Sequence, residues 1–194
     1  MVTRRIAVAM FLIFVQVPAT AEDAQPLLRC GSNCLYTALL LFEKAPADFE
    51  SLESSIGMPA EDGYSLAQLQ DGAQHAGLNT LCVSTSFDNL HARRESFACI
   101  AHINGNHFVL LTGIDSGRVF IVDPPREYSL PESTLRTQWD GAALLLSTAG
   151  LESEESVTNR IRRNKLLKRI AILVGALGVC CFAIRLYRNR SHAK

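Results

Sequence analysis

The chain has 194 residues, enough for one ordinary domain with appendages. Hydrophobic residues make up 48% of it, so a core can form, and Lys+Arg and Asp+Glu both number 19, which removes the net field that nucleic-acid binding would call for. The charges are unevenly placed: from Arg160 to Lys194 basic residues dominate and acidic ones are absent.

Residues 1–21 have the three parts of a secretory signal peptide. Arg4 and Arg5 precede an apolar run over 6–17, and the small residues Ala19 and Ala21 stand before a polar stretch, so cleavage is expected after Ala21. An uncleaved signal anchor is the alternative, and it would leave the following domain on the same side of the membrane. Residues 22–151 read as a single α+β domain without internal repeats. The stretch 34–42 is apolar nearly all round, as a central buried helix would be, with Ser32 or Asn33 as its cap. Amphipathic helices follow over 49–56 and 65–76. In the second, Leu66, Leu69, Ala73 and Ala76 share one face, Ser65 is placed to cap the start and Gly77 the end.

The hydrophobic period then shortens. Strands are expected over 79–83, 97–103, 107–113, 119–122 and 142–147, separated by the turn signals Asn104-Gly105-Asn106, Asp115-Ser116-Gly117 and Asp123-Pro124-Pro125. Asn-Gly between two apolar runs marks a hairpin. Helices first and an antiparallel sheet afterwards make an α+β layout. Residues 152–169 form a charge-rich juxtamembrane linker, as a stalk or a surface helix.

Residues 170–184 carry no charge. At ~1.5 Å per residue they make a helix about 22 Å long, short of the ~30 Å hydrocarbon core. Leu166, Leu167, Leu186 and Tyr187 extend it if Lys168, Arg169 and Arg185 reach toward the headgroups. A transmembrane helix is therefore expected over 170–187, with a basic tail over 188–194. The signal peptide would export the domain, periplasmic or extracellular, on a single-pass anchor. The basic residues before the span slightly outnumber those after it, which alone favours the opposite orientation.

Few residues can do covalent chemistry. Cys180 and Cys181 fall inside the expected span, leaving Cys30, Cys34, Cys82 and Cys99. Four cysteines in an exported domain allow two disulfides in three connectivities, and Cys30 with Cys34 can also close a reversible one. Cys82 and Cys99 have no closely spaced partner of the kind a zinc site needs, so no metal or other cofactor is expected. Cys30 stands apart because Gly31 and a capping residue follow it, and then the most apolar helix of the domain. A thiol at a helix N-terminus feels the positive end of the dipole, and amides there can hold an oxyanion. Gly31 has no Cβ to obstruct a substrate.

His107 opens a strand just after a glycine-containing turn, at a sheet edge, and Asp123 ends the next strand. Their separation of 16 residues is that of a strand–turn–strand whose ends lie side by side. His102, in the preceding strand, is the nearest rival to His107. His75, His91 and His192 carry no special signal.

The run Cys30-Gly31-Ser32-Asn33-Cys34-Leu35 resembles the nucleophile motif of the bacteriocin-processing cysteine peptidases, papain-like domains that trim double-glycine leader peptides, usually at the N-terminus of ABC exporters. The resemblance continues through Gly63-Tyr64-Ser65-Leu66, residues 73–78, Ile100-Ala101-His102 and His107-Phe108, then Asp123-Pro124 and Trp139-Asp140-Gly141. It implies a papain-like fold with N-terminal helices packed on an antiparallel sheet. It also implies Cys30 as nucleophile, His107 as general base and acid, and Asp123 as the orienting carboxylate. The family places an oxyanion Gln six residues before its Cys, where this chain has Ala24; Gln25, one position later, is the candidate for that role. In papain itself the second Cys of Cys-Gly-Ser-Cys-Trp is catalytic, a register that would nominate Cys34, although an extra Asn33 intervenes here and Leu35 replaces the aromatic residue.

The expected partners are a peptide or protein substrate and the lipid bilayer, with no nucleic acid. A separate exporter is a further partner, since no ATPase domain is expected in the chain. The alternatives to a peptidase are a membrane-tethered peptide-binding module that has lost turnover, and a thiol acyltransferase or amidase on the same fold.

Overall fold

The computed structural model describes residues 28–191, with side chains described as far as residue 172. Three helices come first: α1 (Cys30–Leu41), α2 (Phe49–Ile56) and α3 (Leu66–His75). Then β1 (Asn79–Ser84), a short α4 (Phe87–His91), β2 (Ala98–Ile103), β3 (His107–Asp115), β4 (Arg118–Asp123), β5 (Arg126–Pro131), α5 (Glu132–Gln138), β6 (Trp139–Ser147) and the long α6 (Glu154–Ser191) follow. The six strands form one sheet in the order β1-β6-β2-β3-β4-β5, and every neighbouring pair is antiparallel.

The continuous apolar runs in β2, β3 and β6 arise because both faces of the sheet are covered. Alternate side chains go to opposite layers. Ile100, Leu110, Leu144 and Leu146 meet Leu35, Leu39, Leu52 and Leu69 of the first three helices. Cys99, Ala101, Val109, Leu111 and Leu145 meet Phe87, Leu90 and Leu135 of α4 and α5. Two hairpins join the central strands. Asn104 and Gly105 (φ +53° and +77°) turn β2 into β3, and Ser116 and Gly117 (φ +49° and +75°) turn β3 into β4. These are the positive-φ pairs that match the twist of antiparallel strands.

Helix α3 is closed at both ends by its sequence. Ser65 Oγ accepts from Gln68 N while Gln68 Oε1 accepts from Ser65 N, a capping box. Beyond the other end, Gly77 at φ +82° lets Leu78 N–H donate to Ala73 O and its own N–H donate to Gln74 O, the Schellman pattern. Gly72 faces α2 closely. A Cβ there would lie 2.2 Å from Ile56 Cγ2 and 3.2 Å from Leu35 Cδ2. Gly72→Ala is expected to cost about 1–3 kcal/mol through overpacking, despite the better helix propensity of Ala. A urea unfolding curve checks this.

Several expectations change. Helix α1 begins at Cys30, four residues before the apolar run. Neither Ser32 nor Asn33 caps it, since the N-cap is Arg29, without a side-chain bond. Nor is α1 buried all round: Leu40 and Leu41 are more than half exposed. Strand β5 and helices α4 and α5 carried no apolar signal strong enough to announce them. Among the described residues no disulfide joins Cys30, Cys34, Cys82 or Cys99.

The segment 152–169 is fastened to the domain where it starts. Val157 is fully buried, and Glu154 accepts hydrogen bonds from Thr85, Asn89 and Arg93. Arg160 pairs with Glu152 and donates to Ala92 O at 2.7 Å. Among the described residues no helix is long and apolar enough to cross a membrane. Side chains 173–187 of the expected span, and the whole of the expected signal peptide, lie outside the described residues.

Candidate active site

Cys30 sits in the first turn of α1, where that helix packs across β3. Two neighbours secure the turn. Ser32, fully buried, donates to Arg29 O at 3.1 Å and to Glu53 Oε1 on α2 at 3.3 Å, and the Arg29 guanidinium pairs with Glu53 at 3.3 Å. Gly31 serves packing more than substrate access. A Cβ there would meet Leu69 Cδ1 at 3.0 Å, Phe108 Cδ2 at 3.2 Å and Tyr64 Cβ at 3.4 Å, so a side chain would push α1 away from both supports.

Phe108 couples the helix to the sheet through its own peptide groups. Its N–H donates to Cys30 Sγ at 3.4 Å, and its carbonyl accepts from Cys34 Sγ at 3.4 Å, one helical turn further on. The two thiols live in different surroundings. Cys34 has no exposed surface, and burial, followed by the nearby Cys30 and Asp123, pushes its pKa well up. It is held as a neutral thiol donating to a carbonyl. Cys30, although largely buried, lines a cleft of about 200 Å³ together with Asp62, Gly63, Ser65, Gln68 and His102.

His107, the residue before Phe108, is the first of β3, and Asp123 is the last of β4. Antiparallel pairing brings these ends together, and His107 Nε2 lies 2.9 Å from Asp123 Oδ1. The other ring nitrogen, Nδ1, is buried. The imidazole pKa is raised, chiefly by its hydrogen bond with Cys30. Burial works against this, and the charge and hydrogen bond of Asp123 reinforce it. Thiol, imidazole and carboxylate are thus neighbours in that order.

Gln25 lies outside the described residues. His102, the nearest rival of His107 in the sequence, does not join this group. Its Nδ1 is bound to the carboxylate of Asp140 on β6, a pairing with no local sequence signal because 38 residues and three intervening strands separate the partners along the chain. Among the described residues no three His, Cys, Asp or Glu side chains are arranged to hold a metal ion.

Residues 27–150 match the model of the Peptidase C39 family. No curated protein sequence matches the chain. Among solved structures, the chain is similar to a double glycine motif protease from an AMS/PCAT transporter, crystallised in complex with the leader peptide. The identity is 26% and the TM-score 0.54, with 61% of this chain and 84% of that one covered. It is also similar to the peptidase domain of Streptococcus ComA, a bi-functional ABC transporter involved in a quorum sensing pathway, with 14% identity, a TM-score of 0.54 and coverage of 63% and 93%. At that identity the second match speaks for the fold alone. Because the family model spans α1 to α5, the whole sheet and the cleft, this chain belongs to the Peptidase C39 family.

Proposed function

We propose that the chain is a cysteine-type peptidase that trims leader peptides, with Cys30 as nucleophile, His107 as general base and acid, and Asp123 as the group that orients the imidazole. The observation that carries this reading is the contact order at the cleft: Cys30 against the His107 ring, and His107 Nε2 against Asp123 at 2.9 Å. In the proposed cycle the Cys30 sulfur attacks the scissile carbonyl while the proton resides on His107. The first intrahelical bond of α1 runs from Asn33 N to Arg29 O, so the amides of Cys30, Gly31 and Ser32 precede it and can receive the oxyanion. Gln25 is the proposed second donor. His107 then protonates the leaving amine, and water activated by the same ring releases the acyl group from sulfur.

A double-glycine leader as substrate is supported by the solved neighbour that carries a leader peptide, and by a cleft whose wall includes Ala60, Gly63 and Gly105. Exporter partnership belongs to the same proposal, because both neighbours are transporter domains. So does a single-pass anchor over 170–187 with an exported domain. In its support, Leu166, Leu167, Ile170 and Ile172 are exposed on α6 among basic residues.

The test uses a peptide ending in Gly-Gly linked either to a fluorogenic leaving group or to a thiol-reactive electrophile. Hydrolysis by the full chain and labelling confined to Cys30 are expected. Both should be lost in Cys30→Ala, with a fall of at least about 10³-fold in kcat/KM. Unchanged turnover in that variant, or labelling at another cysteine, overturns the proposal.

A further inference from the structure

The cleft holds a second histidine that the proposed chemistry leaves unused. His102 on β2 faces Phe108 across the strand pair, with ring centroids 5.0 Å apart, and it lines the same cleft as Cys30. In the strand order, the His102–Asp140 pair lies on the β6 side of Phe108 and the His107–Asp123 pair on the β4 side. Two His–Asp pairs therefore flank the residue whose amide donates to Cys30.

The backbone that delivers Asp140 is irregular in a way that a plain core pairing would not need. Ala101 pairs with Ala143 and Ile103 with Trp139, so three residues of β6 stand opposite the single residue His102. Gly141, at φ +94°, approaches Thr85 so closely that a Cβ would lie 3.0 Å from its carbonyl oxygen. Asp140 Oδ1 accepts from Ala142 N at 2.9 Å, which fixes one carboxylate oxygen and turns the other toward His102. A bulge beside a cleft re-aims a side chain, and here the side chain re-aimed is the one holding the imidazole.

The other polar groups of the cleft are partly engaged. Gln68 Oε1 accepts from the amide and hydroxyl of Ser65, and Gln68 Nε2 donates to Met58 O. With Nδ1 on Asp140, His102 keeps Nε2 as its remaining hydrogen-bonding atom, on a side chain that is 23% exposed. Asp62 in the cleft wall and Asp140 behind the ring disfavour an acidic substrate group, while Ala60, Gly63 and Gly105 leave room for main chain.

We propose that His102 is a substrate-binding residue whose Nε2 hydrogen-bonds the main chain of the bound peptide, with Asp140 as the positioning residue that fixes the ring. This rests on reading the cleft as a peptide site, and it is independent of whether Cys30 turns substrate over. Binding of a labelled Gly-Gly peptide is measured by fluorescence anisotropy with the full chain carrying Cys30→Ala. His102→Phe keeps a ring against Phe108 and removes the nitrogens. It should weaken binding about tenfold with an unchanged melting curve, and His102→Gln should recover most of the loss. In the otherwise wild-type chain, Asp140→Ala should raise KM severalfold and leave kcat within about twofold.

Binding by His102→Phe as tight as by the parent overturns the inference. So does equal weakening in His102→Gln with both melting points lowered, which would mark the pair as structural. If the wild-type chain hydrolyses the peptide while His102→Phe leaves KM unchanged, this inference alone falls. If binding depends on His102 while no hydrolysis occurs, the inference stands and the peptidase reading alone falls.

Discussion

Replacing His107 by Ala is expected to lower kcat/KM for a Gly-Gly peptide by at least about 10³-fold, with KM changed far less than kcat. The ring makes two contacts that matter at different moments. In the proposed cycle its association with Cys30 would let the proton leave the thiol as the carbon–sulfur bond forms, and its bond to Asp123 would hold the ring plane while that proton is carried to the leaving amine. Asp123→Asn keeps an acceptor and should cost less, although it removes a charge that helps to raise the imidazole pKa. The sign can be checked by following the His107 ring signal by NMR against pH. In the wild type the midpoint should lie above the ordinary 6.5, because the hydrogen bond with Cys30 and then the Asp123 charge outweigh burial. Cys30→Ala should move the midpoint down furthest and Asp123→Asn less. A folded-state pKa above the unfolded one contributes stability that is fully present below pH 6.5 and is lost as pH rises through the raised value. His107→Ala should therefore flatten the pH dependence of the melting point in that range. A His107→Ala chain with wild-type turnover would remove the imidazole from the mechanism.

How much of the fold and site is legible in the sequence depends on whether the signal is local. Helix α2 and the core of α3 follow from amphipathic spacing, and the ends of α3 from Ser65, Gln68 and Gly77, all within a few residues of the backbone groups they satisfy. Both hairpins follow from Asn-Gly and Ser-Gly steps. The closeness of His107 and Asp123 was legible for the same reason, since one turn brings the ends of two adjacent strands together. The extension of α1 back to Cys30 was not, because Arg29 caps nothing and the first turn is held from α2 through Glu53. Strand β5 exposes much of its length and has no apolar alternation to find; it owes its place to β4. Asp140 reaches His102 only because β6 inserts between β1 and β2, an ordering that no local pattern encodes. Attachment of α6 is hidden for a related reason: its anchor is a buried cation from a loop some 60 residues earlier.

That cation gives the second large effect. Arg93→Met is expected to destabilise the domain by about 2–4 kcal/mol and to loosen the start of α6. The Arg93 side chain has no exposed surface. Its Nη1 donates to Glu95 Oε1 at 2.6 Å and to Glu152 O at 2.7 Å, and its Nη2 donates to Glu154 Oε2 at 2.9 Å. Met fills much of the same volume, so the loss is mainly that of the charge and its three acceptors. Glu95 and Glu154 remain partly open to water, at 11% and 28%, and can rehydrate, which keeps the cost below that of a fully enclosed pair. For Glu154, burial raises the carboxyl pKa, but hydrogen bonds from Thr85, Asn89 and Arg93 outweigh it and hold the value below the ordinary 4.5; Glu95 is likewise lowered against its burial. Depressed carboxylates contribute stability that is present above about pH 4.5 and is lost as pH falls through their folded values. The wild-type chain should accordingly lose stability steeply below pH 4.5, and Arg93→Met should show a shallower acid limb from a lower plateau. Amide exchange at residues 152–160 locates the change, because Val157 and the Glu154 contacts hold that turn to α4. Equal melting points for the two proteins at pH 7, with unaltered exchange in this segment, would show that Arg93 does not govern the attachment of α6. If the ion cluster governs the attachment, α6 leaves the domain at a fixed angle, and any anchor it carries sets the orientation of the cleft.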